Sequence, residues 1–176
     1  EYWKLKFKAR TYTPLSEPNS KWTLVLMTRA EIGLLGSYNK YLKSPFETFY
    51  VGGDGMSGSY GYAQETIALR GYDNGVFTPW RSGDGYAYTR FTAELHFPFM
   101  LQPSTTIYGL AFLEGGNAWT DVKDVYPFNL KSSAGAGVRN YLPMIGMMGI
   151  DWAYGFDKVF GEKGGSHFHF ILGQEF

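Results

Sequence analysis

Three histidines, His96, His167 and His169, are the side chains best suited to hold a metal ion or move a proton. His167 and His169 stand two residues apart, which places both imidazoles on one face of a strand. A zinc site needs at least a third protein ligand; none follows at a motif spacing, and the chain has no cysteine. The pair therefore reads as polar positions near a strand end. Asp54-Gly55 and Asp84-Gly85 read as turns, because neither is followed by the oxygen-ligand series of a calcium loop. G-x-S-x-G, P-loop and G-x-G-x-x-G patterns are absent. The lack of cysteine also removes disulfides and thiol nucleophiles. The expectation is of a protein that is not an enzyme, with no catalytic residue, metal or cofactor.

One charge does call for a partner. In ETIALRGYDNG, residues 65–75, Arg70 stands between an apolar run and turn formers. Gly71, Asn74 and Gly75 suit a turn because they tolerate positive backbone angles. A turn alone gives the guanidinium nothing to bind. Its five donors form a rigid fork that can hold two carboxylates at once, so what it reaches depends on the elements around it.

Those elements are strands. The 176 residues suit one domain, and the aromatic fraction of 19% with 23 glycines suits an all-β architecture. No apolar run approaches the roughly 20 residues of a membrane-spanning helix. Sixteen basic and sixteen acidic residues cancel, which argues against nucleic acid as a partner. The chain opens at Glu1, as a processed product or a piece of a longer polypeptide would.

Period-two alternation recurs along the chain. From Tyr2 to Tyr12, Trp3, Leu5, Phe7 and Ala9 oppose Lys4, Lys6, Lys8 and Arg10. Pro18, Asn19 and Ser20 then read as a tight turn. A second strand, from about Trp22 to Gly36, sets Leu24, Leu26, Ala30, Ile32 and Leu34 against Arg29 and Glu31. Between Tyr86 and Phe99 an apolar face opposes Tyr88, Arg90, Glu94 and His96. Further strands are predicted at 105–119, 131–142, 146–157 and 167–176. The first of these is apolar on both faces except for Glu114. The third is the clearest repeat, with Met148, Ile150, Trp152, Tyr154 and Phe156 opposing Gly149, Asp151, Ala153, Gly155 and Asp157.

Short connections at 13–21, 99–104 and 143–145 alternate with longer ones at 37–85, 120–130 and 158–166, the asymmetry of an outer-membrane barrel with short turns at one end and long loops at the other. Aromatic residues gather near strand ends (Trp3, Tyr12, Trp22, Tyr86, Phe97, Phe99, Trp119, Tyr141), as they do at membrane interfaces. Alternation itself leaves a soluble β-fold open, because it does not say which face meets water. Seven strands are also an odd number. Single-chain bacterial barrels have even numbers, and an open edge in lipid leaves backbone groups unsatisfied, so the chain is expected to supply part of a barrel.

LRGY at 69–72, preceded by FYVGGDG at 49–55, resembles the (I/V/L)RG(F/Y) tetrapeptide in the sixth extracellular loop of BamA-type outer-membrane assembly proteins. TAELHFP at 92–98, LAFLEGGNAW at 110–119, SAGAGVRNYLPMIGMMGIDWAYGFDK at 133–158 and the terminal FHFILGQEF follow in that family's order. The resemblance covers nearly everything from Trp22 onward. It implies the last seven strands of a sixteen-stranded transmembrane antiparallel barrel, occupying residues 1–176, with the 37–85 loop extracellular and the whole in the cell outer membrane. It further implies that Arg70, with Gly71 and Tyr72, forms a loop latch to Glu94 and Glu114 on the inner wall.

At the C-terminus Phe168, Phe170, Leu172 and Phe176 share a face and resemble the terminal β-signal of outer-membrane proteins, with Gly173 reducing packing near the barrel seam. The implied activity is folding and insertion of β-barrel precursors by templating strands at that seam, without bond-making chemistry. The implied partners are unfolded outer-membrane precursors, the upstream strands and periplasmic repeat domains of the same protein, accessory assembly lipoproteins and the lipid bilayer. Two alternatives remain: a sister translocase of the two-partner secretion type, and a passive pore or receptor barrel in which the 37–85 loop is a plug or ligand site.

Overall fold

A computed structural model describes residues 1–17, 23–39, 47–56, 64–78, 85–102, 104–144 and 146–173. In chain order the strands are β1 (Tyr2–Pro14), β2 (Val25–Ser37), β3 (Phe49–Val51), β4 (Glu65–Ile67), β5 (Ala87–Gln102), β6 (Thr105–Trp119), β7 (Lys131–Leu142), β8 (Gly146–Gly155), β9 (Lys158–Val159), β10 (Glu162–Lys163) and β11 (Ser166–Leu172). The only helical element among the described residues is one 3-10 turn at Val122–Asp124. β1, β2, β5, β6, β7, β8 and β11 form a single seven-stranded antiparallel sheet in that order, so each strand pairs with the next long strand of the chain. The sheet is open, with β1 and β11 as its two edges.

Burial decides what alternation left open. Large apolar side chains point away from the molecule and are exposed: Phe7 at 62%, Leu113 at 63%, Ile150 at 56%, Phe168 at 76%. Their neighbours of opposite parity are charged and buried: Arg29, Glu31, Arg90, Glu94, Glu114, Arg139 and Asp151. A soluble sheet would present the reverse, since exposed apolar area of this extent is unfavourable in water and buried charge is costly anywhere. The apolar face suits hydrocarbon and the charged face suits a lumen.

The charged face is covered by the connection between β2 and β5. Within it β3 and β4 pair in parallel, Phe49 opposite Glu65 and Val51 opposite Ile67. Phe49, Val51, Ile67, Leu69, Tyr72 and Phe77 pack with Leu35, Tyr86, Tyr88 and Val159 into the main apolar core, between loop and wall. Burial of these side chains provides the non-specific part of the loop's adhesion, about 25 cal/mol per Å² of apolar surface removed from water.

Several boundaries differ from those the alternation suggests. β2 starts at Val25; Trp22, and the Pro18–Ser20 turn, lie outside the described residues. β5 runs on to Gln102 past a register shift between Pro98 and Met100, because a bulge accommodates a proline that has no N–H to donate. The expected 99–104 connection is thereby shortened, since residues 99–102 belong to β5. β8 ends at Gly155 and not 157, since Asp157 turns its carboxylate onto the Ser132 N–H, 2.6 Å away, and leaves the ladder. β11 ends at Leu172, after which Gly173 takes φ +72° and donates to the Met147 carbonyl at 2.6 Å. Gly173 thus ends the strand at a positive φ, where an added Cβ would meet nothing within 4 Å. Phe176 lies outside the described residues, as does Asp84.

Candidate functional site

Residues 69–72 reach the wall because the loop is folded back on itself. Leu69 and Gly53 exchange backbone hydrogen bonds of 3.2 and 3.1 Å. Gly53 holds φ +75° there, a conformation that costs glycine little and other residues more. Leu69, Arg70, Gly71 and Tyr72 then lie along the inner face, all buried.

Arg70 has no exposed surface. Its Nη2 donates to Glu94 Oε1 at 2.5 Å and to Glu114 Oε1 at 3.0 Å. Nε donates to Glu114 Oε2 at 3.2 Å, and the Arg70 backbone N–H to the same oxygen at 2.9 Å. Nη1 donates to Asp151 Oδ2 at 2.9 Å. The guanidinium lies over the Phe112 ring, its central carbon 3.5 Å from the centroid, so a cation-π contact covers the face the carboxylates leave open. Burial opposes the charge on Arg70, but Glu114, Glu94 and Asp151 outweigh it and hold the group protonated above its ordinary value.

Each carboxylate has a second partner. Glu94 meets His96 Nε2 at 2.9 Å. Glu114 accepts from Arg90 Nη2 at 2.9 Å and from Thr92 Oγ1 at 3.2 Å. Asp151 accepts from Arg139 at both oxygens, Nη2 to Oδ2 at 2.6 Å. Arg70, Arg90 and Arg139 therefore face Glu94, Glu114 and Asp151, three cations against three anions. Desolvating isolated ions costs several kcal/mol each, and a neutral, hydrogen-bonded cluster is the arrangement that recovers most of it.

The structure brings Arg70 together with Glu94 and Glu114, and adds Asp151, Arg90, Arg139 and Phe112, which residue-type reasoning did not single out. Asp151 had a readable signal: it is the acidic side chain in the middle of the Gly149, Ala153 and Gly155 face of the clearest repeat, the same face as the lumen.

Small residues make the furrow that receives the loop. A Cβ on Gly155 would stand 2.3 Å from the Gly71 carbonyl oxygen, and one on Gly116 3.0 Å from Leu69 Cδ1. Gly155→Val is therefore expected to lift residues 69–72 off the wall, seen as new protease cleavage in this segment with the cluster's charges intact. Tyr72 closes the furrow: its hydroxyl donates to the Ser132 carbonyl at 2.6 Å, and burial pushes the phenol up to about 12. Tyr72→Phe removes that bond and is expected to cost about 1 kcal/mol of stability in denaturant titrations.

The loop has a second anchor on the opposite side. Lys4 Nζ lies 3.2 Å from Glu47 and 3.0 Å from Glu65, Lys6 also pairs with Glu65, and Lys4 stands over the Phe49 ring. Burial alone would raise the Glu65 carboxyl, but Lys6 and Lys4 hold it below its ordinary value. The cationic face of β1 thus grips the loop's acids while the acidic wall of β5, β6 and β8 grips its arginine.

Phe168, Phe170 and Leu172 are exposed on the outer face of β11, away from the cluster. Among the described residues no three His, Asp or Glu side chains converge as a metal site would require. Comparison with curated proteins finds no significant match. The crystal structure of BamA from Haemophilus ducreyi lacking POTRA domains 1–3 superposes with a TM-score of 0.68 at 20% identity, over 97% of this chain and 34% of that one. The chain thus shares its fold and spans about a third of its length. A profile of the Omp85 superfamily domain matches residues 1–176, end to end, and with the open sheet, the lumen-facing charges and the docked loop it establishes that the chain belongs to the Omp85 superfamily.

Proposed function

We propose that residues 1–176 form the C-terminal seven strands of a sixteen-stranded BamA-like barrel, and that the assembled protein is the core insertase of outer-membrane protein assembly. The superfamily places the chain among outer-membrane insertion and translocation barrels. The insertase reading draws on the likeness of the sheet to the BamA barrel and on β11, whose outward Phe168, Phe170 and Leu172 carry the alternation of a terminal β-signal. In the closed barrel β11 would meet the first strand at a seam, and backbone N–H and C=O groups released there would be a template for an incoming strand, a β-barrel precursor entering by strand addition. Phe168, Phe170 and Leu172 would meet the bilayer beside that seam. Upstream strands and periplasmic repeat domains would complete the protein, accessory lipoproteins would attend it, and the work would need no catalytic residue or cofactor.

Depletion of the intact protein in cells tests this reading. A general fall in folded outer-membrane proteins is the expected result. Loss of one exported protein with the others unchanged would identify a sister translocase, and no change in either a passive pore.

A further inference from the structure

Both histidines of β11 point inward, and both touch the loop. The Gly71 N–H donates to His169 Nε2 at 3.1 Å, with His169 only 6% exposed. Beside it His167 Nδ1 lies 3.5 Å from Asp73 Oδ1, and the two rings stack with centroids 6.1 Å apart. His169 also stands directly opposite Asp151 in the β8–β11 register. One pair of facing positions therefore holds two consecutive loop residues, Asp151 taking the Arg70 side chain and His169 the Gly71 backbone.

The consequence follows from where β11 sits. Its ladder with β8 runs over seven residue pairs, the shortest among the seven strands of the sheet. Few ladder bonds hold it, so a tether from outside the sheet is a large share of its restraint. Gly71 is itself buried, and its amide loses its acceptor if β11 moves away.

We propose that His169, with His167 beside it, is a positioning residue that fastens β11 to the docked loop, so that loop docking and the order of β11 are coupled. The Gly71 N–H requires a lone pair on Nε2, which puts the ring proton on Nδ1. By linkage, anything that lifts the loop loosens β11, and anything that draws β11 away loosens the loop. The coupling holds whether the passing chain is inserted or exported, so it stands apart from the insertase reading.

Site-resolved hydrogen exchange on the intact barrel in nanodiscs tests it. H169A is expected to speed exchange at the Gly71 amide about tenfold, the scale of one lost buried hydrogen bond, and to speed exchange along residues 166–172. H169Q, whose amide oxygen can occupy the acceptor position, is expected to restore both. Gly116→Val on β6, where a Cβ would crowd Leu69 and which pairs with neither β8 nor β11, is expected to displace the loop and loosen residues 166–172 as well, and this arm reads even where H169A folds poorly. Unchanged Gly71 protection in H169A, an H169Q variant no better than H169A, or an undisturbed β11 in Gly116→Val would each overturn the proposal.

Discussion

Arg70→Ala should release the loop. The substitution removes the cation that Glu94, Glu114 and Asp151 share, leaving them Arg139, His96 and Arg90, the last of which also lies 4.0 Å from Glu31. An uncompensated buried charge is expensive, and breaking such a network by deleting one partner typically costs about 3–5 kcal/mol. The sheet can avoid that cost only by admitting water, which it does by letting residues 69–72 leave the furrow. Limited proteolysis of outer membranes should then show cleavage near residues 69–75, and heat-modifiable mobility should show less folded barrel. Arg70→Lys should recover little of this, because a single ammonium cannot reach carboxylates on β5, β6 and β8 together or lie flat over Phe112. Unchanged proteolysis and unchanged folding in Arg70→Ala would dismiss the latch.

The alternation carried most of the fold. Strand positions and the parity of Lys4, Glu31, Glu94 and Asp151 could be read from period two alone, because a strand has only two faces and a wrong parity would turn every charge outward. What period two cannot supply is the medium each face meets; that took the burial of Arg29 and Glu31 beneath the loop and the exposure of Phe7 and Phe168. On β6, apolar on both faces, Glu114 alone carried the orientation, and it is the residue around which the cluster closes.

Less of the site was legible. β3 and β4 are three residues each and pair in parallel inside a glycine-rich loop, too short to leave a periodic trace. Asp151 and His169 meet Arg70 and Gly71 across 81 and 98 residues of chain, a proximity created by the curvature of the sheet and absent from any local pattern. The histidines illustrate the point: their spacing correctly placed them on one face, and only the folded loop gives that face something to hold.

The three carboxylates should not be equivalent, and their ranking is the sharper test of the cluster. Glu114 accepts from the Arg70 backbone N–H, from Arg70 Nε and Nη2, from Arg90 Nη2 and from Thr92 Oγ1, at 2.9 to 3.2 Å. A glutamine there keeps one accepting oxygen and turns an NH2 toward two guanidiniums, so Glu114→Gln both removes a charge and adds a donor where acceptors are needed. Glu94 accepts from Arg70 Nη2 and meets His96, at the periphery of the cluster. The expected loss is about 3–5 kcal/mol for Glu114→Gln and about 1–3 kcal/mol for Glu94→Gln, read from denaturant midpoints of the refolded intact barrel. Combining Glu114→Gln with Arg70→Met should cost less than the sum of the two, since each removes the charge that makes the other damaging. A Glu94→Gln effect equal to that of Glu114→Gln would overturn the ranking, and additive losses in the double variant would mean that Arg70 and Glu114 act independently and not as one cluster.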